Sequence, residues 1–304
     1  MSKKYSIFQV NGGLGKHIAA TAVAQVIKEN HPDRELIVVC AWPELWSNLP
    51  FVYRVYPLGN TQYFYEEYIQ DRDSLIFAQE PYLTTTHVNK THPLVESWCL
   101  TLGLEYNGEQ PVLRINPEQR KAIKNFYEPK FKKPLMLLHT NGGLYGNERP
   151  YSWARDMPFN VAEAVVKHFK KDYDFMQVTR PASPKLEDVF VRSEQLSNTE
   201  LVGILELTSK RLLIDSSLQH AAMAFNLPST VLWNATSSVI FGHKLHDNIQ
   251  AKPKPCKPLP SSYLFDYQFD ANENEFPYEE DDLGDLFNID KIIDSLEKQE
   301  TGKN

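Results

Sequence analysis

The chain has 304 residues, 42% of them hydrophobic and 23% charged, which fits a globular protein with a real core and excludes a fibrous or low-complexity chain. Its formal charge of −7 is uneven: nine acids and no bases fall between Asp266 and Asp285, and the remainder is near +2, so acidity argues neither for nor against a nucleic-acid partner. No run approaches the roughly 20 apolar residues of a membrane span, MSKKYSIFQV lacks the apolar region of a secretory leader, and Cys40, Cys99 and Cys256 form no CxxC pair, so a cytoplasmic protein without a zinc site is expected.

The first half alternates strand and helix patterns. Tyr5–Val10 reads as a strand; Ile18, Ala19, Ala22, Val23, Val26 and Ile27 then share one helical face, and NHP stops the helix. LIVVC (Leu36–Cys40) and SLIFA (Ser74–Ala78) are short continuous apolar runs, as in parallel strands covered on both sides. A helix is predicted from Pro93 to Leu104. YEPKFKKP (Tyr127–Pro134) breaks the pattern and reads as an interdomain linker.

Alternation then restarts, with strands at Leu135–Leu138, Phe175–Val178, Leu212–Ile214 and Thr230–Trp233, and helices at Pro158–Phe169, Glu200–Ser209 and Leu218–Phe225. The expected organisation is an α/β fold of two Rossmann-like parallel-sheet domains, residues 1–130 and 134–249, facing a central cleft. A proline-rich and acidic tail follows over 250–304, closing with a short amphipathic helix around LFNIDKIIDSLEK.

Four stretches carry the chemistry. In NGGLGKH, Gly12, Gly13 and Gly15 let backbone N–H groups approach an anion at a helix start. The spacing is neither a GxxxxGK[ST] loop nor GxGxxG, and the alternative is a tight turn without a ligand. In RLLIDSSLQHAAMAFNLPSTVLWNATSS, a buried strand ends at Asp215, Ser216 and Ser217 begin a helix, and His220 follows one turn later. LLHTNGG places His139, Thr140 and Asn141 at another strand end, with Trp153 and Arg155 beyond. MQVTRPAS contributes Thr179 and Arg180, whose guanidinium suits a diphosphate. Ligands of open α/β sheets bind at such carboxyl ends, although capping and packing account for several of these residues equally well.

Together these stretches resemble the ADP-heptose:lipopolysaccharide heptosyltransferases, glycosyltransferase family 9, over most of residues 5–245. That family has a tryptophan–proline element before a helix and a D-[ST]-G-x-x-H-[LI]-[AT]-A-A pattern followed by a proline, a strand and G-x-T. The counterparts are Trp153 with Pro158, and DSSLQHAAMAFNLPSTVLWNATSS. The resemblance implies a GT-B fold, with a nucleotide-sugar donor as substrate, held mainly by the second domain, and a glycan-type acceptor held by the first. It implies no bound metal or other cofactor, and inversion by direct displacement with a general base. Asp215, Ser216, Ser217 and His220 would surround the donor's diphosphate and sugar.

The sequence departs from the family at one telling position. An aspartate, the expected base, follows the family's loop glycine; here Gly15 is followed by Lys16, which needs a strongly lowered pKa to act likewise. His17, whose ordinary pKa is near neutrality, and Glu80, at the end of SLIFAQEPY, are the replacement candidates, with His87 third. Ser217 replaces the family's glycine. GGLG is also similar to loops of glycogen-synthase-like enzymes and one fucosyltransferase group, but the H-x-R-R of the latter is absent where LLHTNGG stands. The alternatives are a catalytically inactive sugar-nucleotide or glycan binder, a sugar-nucleotide epimerase, and a DNA-base glycosyltransferase. Lys3, Lys4, Lys16, Lys130, Lys132 and Lys133 form no dense basic stripe for the last of these.

Overall fold

The structure is a computed structural model that describes residues 3–142, 155–234, 236–252 and 284–299. Trp153 and most of the acidic stretch lie outside the described residues. The chain divides into two compact units, Met1–Gln119 and Arg120–Asn304. Residues 127–134 lie in the second unit because Tyr127 is anchored there: its hydroxyl donates to Glu200 at 2.6 Å and its ring packs edge-on against Phe190.

The first unit is a four-stranded parallel sheet in the order β3-β2-β1-β4. β1 is Lys4–Val10, β2 Glu35–Cys40, β3 Arg54–Pro57 and β4 Asp73–Phe77. Helix α1 (Leu14–Asn30) joins β1 to β2 and is buried along most of its length, from Ile18 through Ile27. Each buried valine or isoleucine there contributes about 1.5–3 kcal/mol. Short helices α2 (Phe64–Tyr68) and α3 (Thr85–Val88) and the longer α4 (Leu94–Leu102) complete this unit. On one face of the sheet Phe8 packs with Trp46 and Trp98; on the other Tyr5, Ile7, Ile37 and Val39 are covered by Phe64, Tyr68 and Tyr56.

Helix α5 (Pro117–Tyr127) leads into the second unit, a six-stranded parallel sheet in the order β10-β9-β8-β5-β6-β7. β5 is Leu135–His139, β6 Asp174–Val178, β7 Phe190–Arg192, β8 Lys210–Ile214, β9 Thr230–Trp233 and β10 Asp247–Gln250. This is the doubly wound Rossmann order, and its winding reverses between β5 and β8. Helices α6 (Phe159–Phe169), α7 (Asn198–Gly203), α8 (Ser217–Ala224) and α9 (Ser238–Phe241) connect the strands.

The predicted apolar runs all fall on strands. β3, β7 and β10 go unseen in the sequence because edge strands are half-solvated and need no apolar run. The helix predicted over Glu200–Ser209 is two pieces, α7 and a tighter turn at Ile204–Leu207.

The final helix α10 (Ile289–Lys298) completes the core of this unit. Leu286, Phe287, Ile292 and Leu296 are buried with Phe169, Phe175 and Leu232.

Candidate functional site

The reversal between β5 and β8 sets the first cluster. β5 ends in His139 and β8 leads through Asp215 into α8, whose N-cap is Ser216. The Ser216 hydroxyl lies 2.9 Å from His139 Nδ1 and accepts the Leu218 N–H at 3.4 Å. Gly142 passes close by: a Cβ there would sit 3.5 Å from Ser216 Cβ, in ordinary van der Waals contact. Asn141 Oδ1 accepts from the hydroxyls of Thr140 (3.1 Å) and Thr179 (2.5 Å), tying the end of β5 to that of β6.

Arg180 follows Thr179 and forms an ion pair with Asp156. The other Asp156 oxygen accepts the Gly142 N–H at 3.3 Å, and its backbone carbonyl accepts from Asn234 at the end of β9 at 2.7 Å. Four strand ends thus converge on a few buried polar groups. Burial pushes the Asp156 carboxyl up to about 6 despite Arg180, raises Asp215 despite nearby Arg155, and lowers His139 to about 4. Ser217 opens α8 and, with Ser216, stays partly accessible. This arrangement offers helix N–H groups, hydroxyls and a guanidinium to an anion.

His220 takes a different place. Its Nε2 accepts from the Gln219 side chain at 3.0 Å and its Nδ1 meets His243 Nε2 at 2.8 Å, so protein groups engage both nitrogens. Burial lowers its pKa to about 3.

The second cluster belongs to the first unit. Gly12 has φ +92, a conformation that favours glycine, and a Cβ there would lie 3.3 Å from the Lys16 chain. Gly13 caps α1, which begins at Leu14 and includes Gly15 in its first turn. Lys16 is almost fully buried, with Nζ 2.5 Å from Glu80 Oε2 and 3.0 Å from Asn11 Oδ1, and within 5.3 Å of the Tyr82 and Trp98 ring centres. Burial lowers its pKa, and Glu80 partly restores it. Glu80 Oε1 has no hydrogen-bond partner among the described residues.

His17 is fully buried. Protonated at Nδ1, it donates to the Gly13 carbonyl at 3.0 Å and accepts the Ala41 N–H through Nε2 at 3.2 Å, with the Val10 carbonyl 3.1 Å from that nitrogen. The ring pins the glycine turn to the ends of β1 and β2 and exposes no nitrogen. His87 is also buried, against Tyr82, with its pKa lowered to about 4 by burial.

Two residues the sequence reading missed, Asn11 and Asp156, acquire partners only in space. The available signals were a polar residue directly before the glycines and an acid beside Arg155. Among the described residues no helix is long and apolar enough to cross a membrane, and no group of three or more His, Cys, Asp or Glu side chains forms a metal site.

No family model and no curated protein sequence matches the chain. Solved structures match its fold. A glycosyl transferase family 9 protein from Veillonella parvula DSM 2008 aligns with TM-score 0.68 at 12% identity, over 98% of this chain and 97% of that one. The E. coli ADP-heptose lps heptosyltransferase II aligns with TM-score 0.59 at 13% identity, over 81% and 89%. The E. coli heptosyltransferase WaaC, solved with ADP, aligns with TM-score 0.55 at 10% identity, over 86% and 98%. The likeness is one of fold: two parallel α/β units of the GT-B-like kind.

Proposed function

We propose that this chain is a metal-independent, inverting glycosyltransferase that moves a sugar from a nucleotide-sugar donor to an acceptor hydroxyl, with a saccharide or other glycan as acceptor. The observation that carries this reading is the convergence of Ser216, the α8 N-terminus, Asn141, Thr179 and Arg180 at the point where the second sheet reverses. A chain that follows the fold of family 9 glycosyltransferases from end to end supports it.

The donor's diphosphate would lie against Ser216 and Ser217 at the start of α8, where unpaired N–H groups and the helix dipole favour negative charge. Arg180 adds a cation, so charge leaving with the nucleoside diphosphate is met by protein groups. His220 supports α8 from within, because its nitrogens are engaged by Gln219 and His243. The first unit would present the acceptor at the glycine turn, and the reading requires both strand-end clusters to serve one cleft.

Displacement forms a bond between acceptor oxygen and anomeric carbon, breaks the bond to the phosphate oxygen, and sends the acceptor proton to a base. Glu80 is the group best built for that proton: Oε2 is held by Lys16 while Oε1 keeps an unused lone pair. His17 lacks an available nitrogen, so the base assigned in the family to the residue after the glycine passes here to Glu80, through its partner Lys16.

A thermal-shift panel of nucleotide sugars and free nucleoside diphosphates tests the reading. One matched pair should raise Tm, and that donor should release its nucleoside diphosphate when a glycan acceptor is added. Silence across the panel overturns the proposal.

A further inference from the structure

The pairing of Arg180 with a buried carboxylate bears on how the second unit takes an anion. Resting on the donor reading above, we infer that Asp156 is an internal stand-in for the ligand's phosphate. It holds the Arg180 guanidinium until an anionic ligand enters and takes its place.

The geometry supports this in three ways. The Arg180 side chain is 24% exposed and that of Asp156 8%, so the cation of the pair is the more outward and the carboxylate the more inward. The second Asp156 oxygen faces the Gly142 N–H at the end of β5, next to Ser216, so the carboxylate lies beside the groups that would receive a phosphate. The Asn234 amide fixes the Asp156 backbone at 2.7 Å, so the carboxylate cannot simply follow the arginine outward.

The groups that act on this carboxylate come from every element around it. Arg180 follows β6, Asn141 and Gly142 follow β5, and Arg155 precedes it in the chain; Asp215, at the end of β8, shares the influence of Arg155. Burial already raises the Asp156 pKa to about 6 with Arg180 in place. Moving the guanidinium to a phosphate removes the strongest force lowering that pKa and brings a negative charge near. The carboxylate then takes up a proton, which stays on Asp156 as the anion binds. Binding linked to proton uptake tightens as pH falls.

The consequence is specificity for strongly anionic ligands. A ligand must supply enough charge to replace the carboxylate, which favours a diphosphate over a neutral sugar or nucleoside.

Two probes separate this inference from the reading it rests on. Sulfate and ADP-glucose each keep one charge state between pH 5.5 and 8, so any titration belongs to the protein. Sulfate should bind the full chain about tenfold more tightly at pH 5.5 than at pH 7.5. Calorimetry in two buffers of different ionisation enthalpy should show uptake of part of a proton at pH 7. Asp156→Asn keeps the size of the side chain and an oxygen for Gly142; it should bind sulfate several-fold more tightly at pH 7.5, with the pH dependence flattened. A circular-dichroism melt checks that it folds, and the proton uptake of the wild-type chain stands without it. Equal pH dependence in both proteins, no proton uptake by the wild type, or no sulfate binding to either protein overturns the inference. If sulfate behaves as described while ADP-glucose and the rest of the panel do not bind, the donor reading fails and the anion switch stands.

Discussion

Lys16 Nζ lies 2.5 Å from Glu80 Oε2, joining the first turn of α1 to the segment after β4 across 64 positions of sequence. The pair is one-sided: the lysine is buried, while the glutamate side chain is 31% exposed and keeps one oxygen without a hydrogen-bond partner. A carboxylate ion-paired through one oxygen, with the other buried and without a hydrogen bond among the described residues, keeps a lone pair for a proton. Glu80→Gln should therefore lower kcat by about 10²–10⁴-fold while leaving donor affinity within about twofold. Unchanged turnover with the matched donor and acceptor would remove Glu80 from the reaction.

His17 makes a contrasting case. Its ring is enclosed by the backbones of Val10, Gly13 and Ala41, so its loss should be felt in stability. His17→Ala leaves a cavity and orphaned backbone groups, at a cost of about 2–4 kcal/mol. Urea unfolding checks this. Any fall in activity should follow the folded fraction, and a fully stable variant with no activity would return His17 to the candidate bases.

These two residues show where the sequence was legible. The glycine turn was readable because Gly12, Gly13 and Gly15 stand between an apolar strand and a helical face, a purely local pattern. The strand end and helix start at Asp215–Ser217 were readable for the same reason, whereas the local spacing of His220 did not show that Gln219 and His243 engage its ring. His17 and Glu80 stood level as candidate bases and Lys16 as the departure from the family, yet in space Lys16 reaches Glu80 while His17 folds back onto backbone groups. The Lys16–Glu80 and Arg180–Asp156 pairs are made by topology, which brings strand ends together from distant positions. Edge strands β3, β7 and β10 stayed hidden because they are short, 4, 3 and 4 residues, and partly solvated.

Donor binding should depend on the His139–Ser216 contact. Ser216→Ala removes the α8 cap and the hydroxyl beside His139. Calorimetry with the matched nucleoside diphosphate should show affinity weakened about 5- to 20-fold, and capping loss should lower stability by about 1 kcal/mol. If stability falls while affinity does not, Ser216 serves only the helix.

The second unit should be acid-sensitive through its buried imidazoles. Burial lowers His139 to about 4, His220 to about 3 and His246 to about 4, and holds His243 well below its ordinary value. Each stays neutral when folded but binds a proton when unfolded below about pH 6.5, so stability is intact above that pH and lost as pH falls toward 4. Asp156, raised to about 6, and Asp215, raised by burial, work in the opposite direction but are outnumbered. Below pH 6 each histidine costs up to about 1.4 kcal/mol per pH unit. The urea midpoint should drop clearly between pH 7.5 and 5, and His243→Gln should make that drop shallower. A midpoint unchanged over this range would show that the imidazoles ionise freely in the folded chain.

The final helix should be essential to the second unit, because the amino ends of its sheet depend on it. Lys210 Nζ donates to the carbonyls of Leu296 at 2.5 Å and Gln299 at 2.9 Å, where the dipole of α10 favours a cation. The Gln299 side chain pairs with the backbone of Arg211, and Ser295 meets Thr230 at 2.8 Å. Leu296→Ala opens a cavity in a fully buried position and should cost about 2–5 kcal/mol. Lys210→Met keeps the length of the side chain but removes the ammonium, leaving the terminal carbonyls of α10 without their partner; it should cost about 1–3 kcal/mol. Hydrogen exchange separates local from global effects. Lys210→Met should raise exchange first in α10 and the start of β8, with the glycine turn unchanged. Exchange confined to residues 289–299 in both variants would mean that α10 merely rests on the unit.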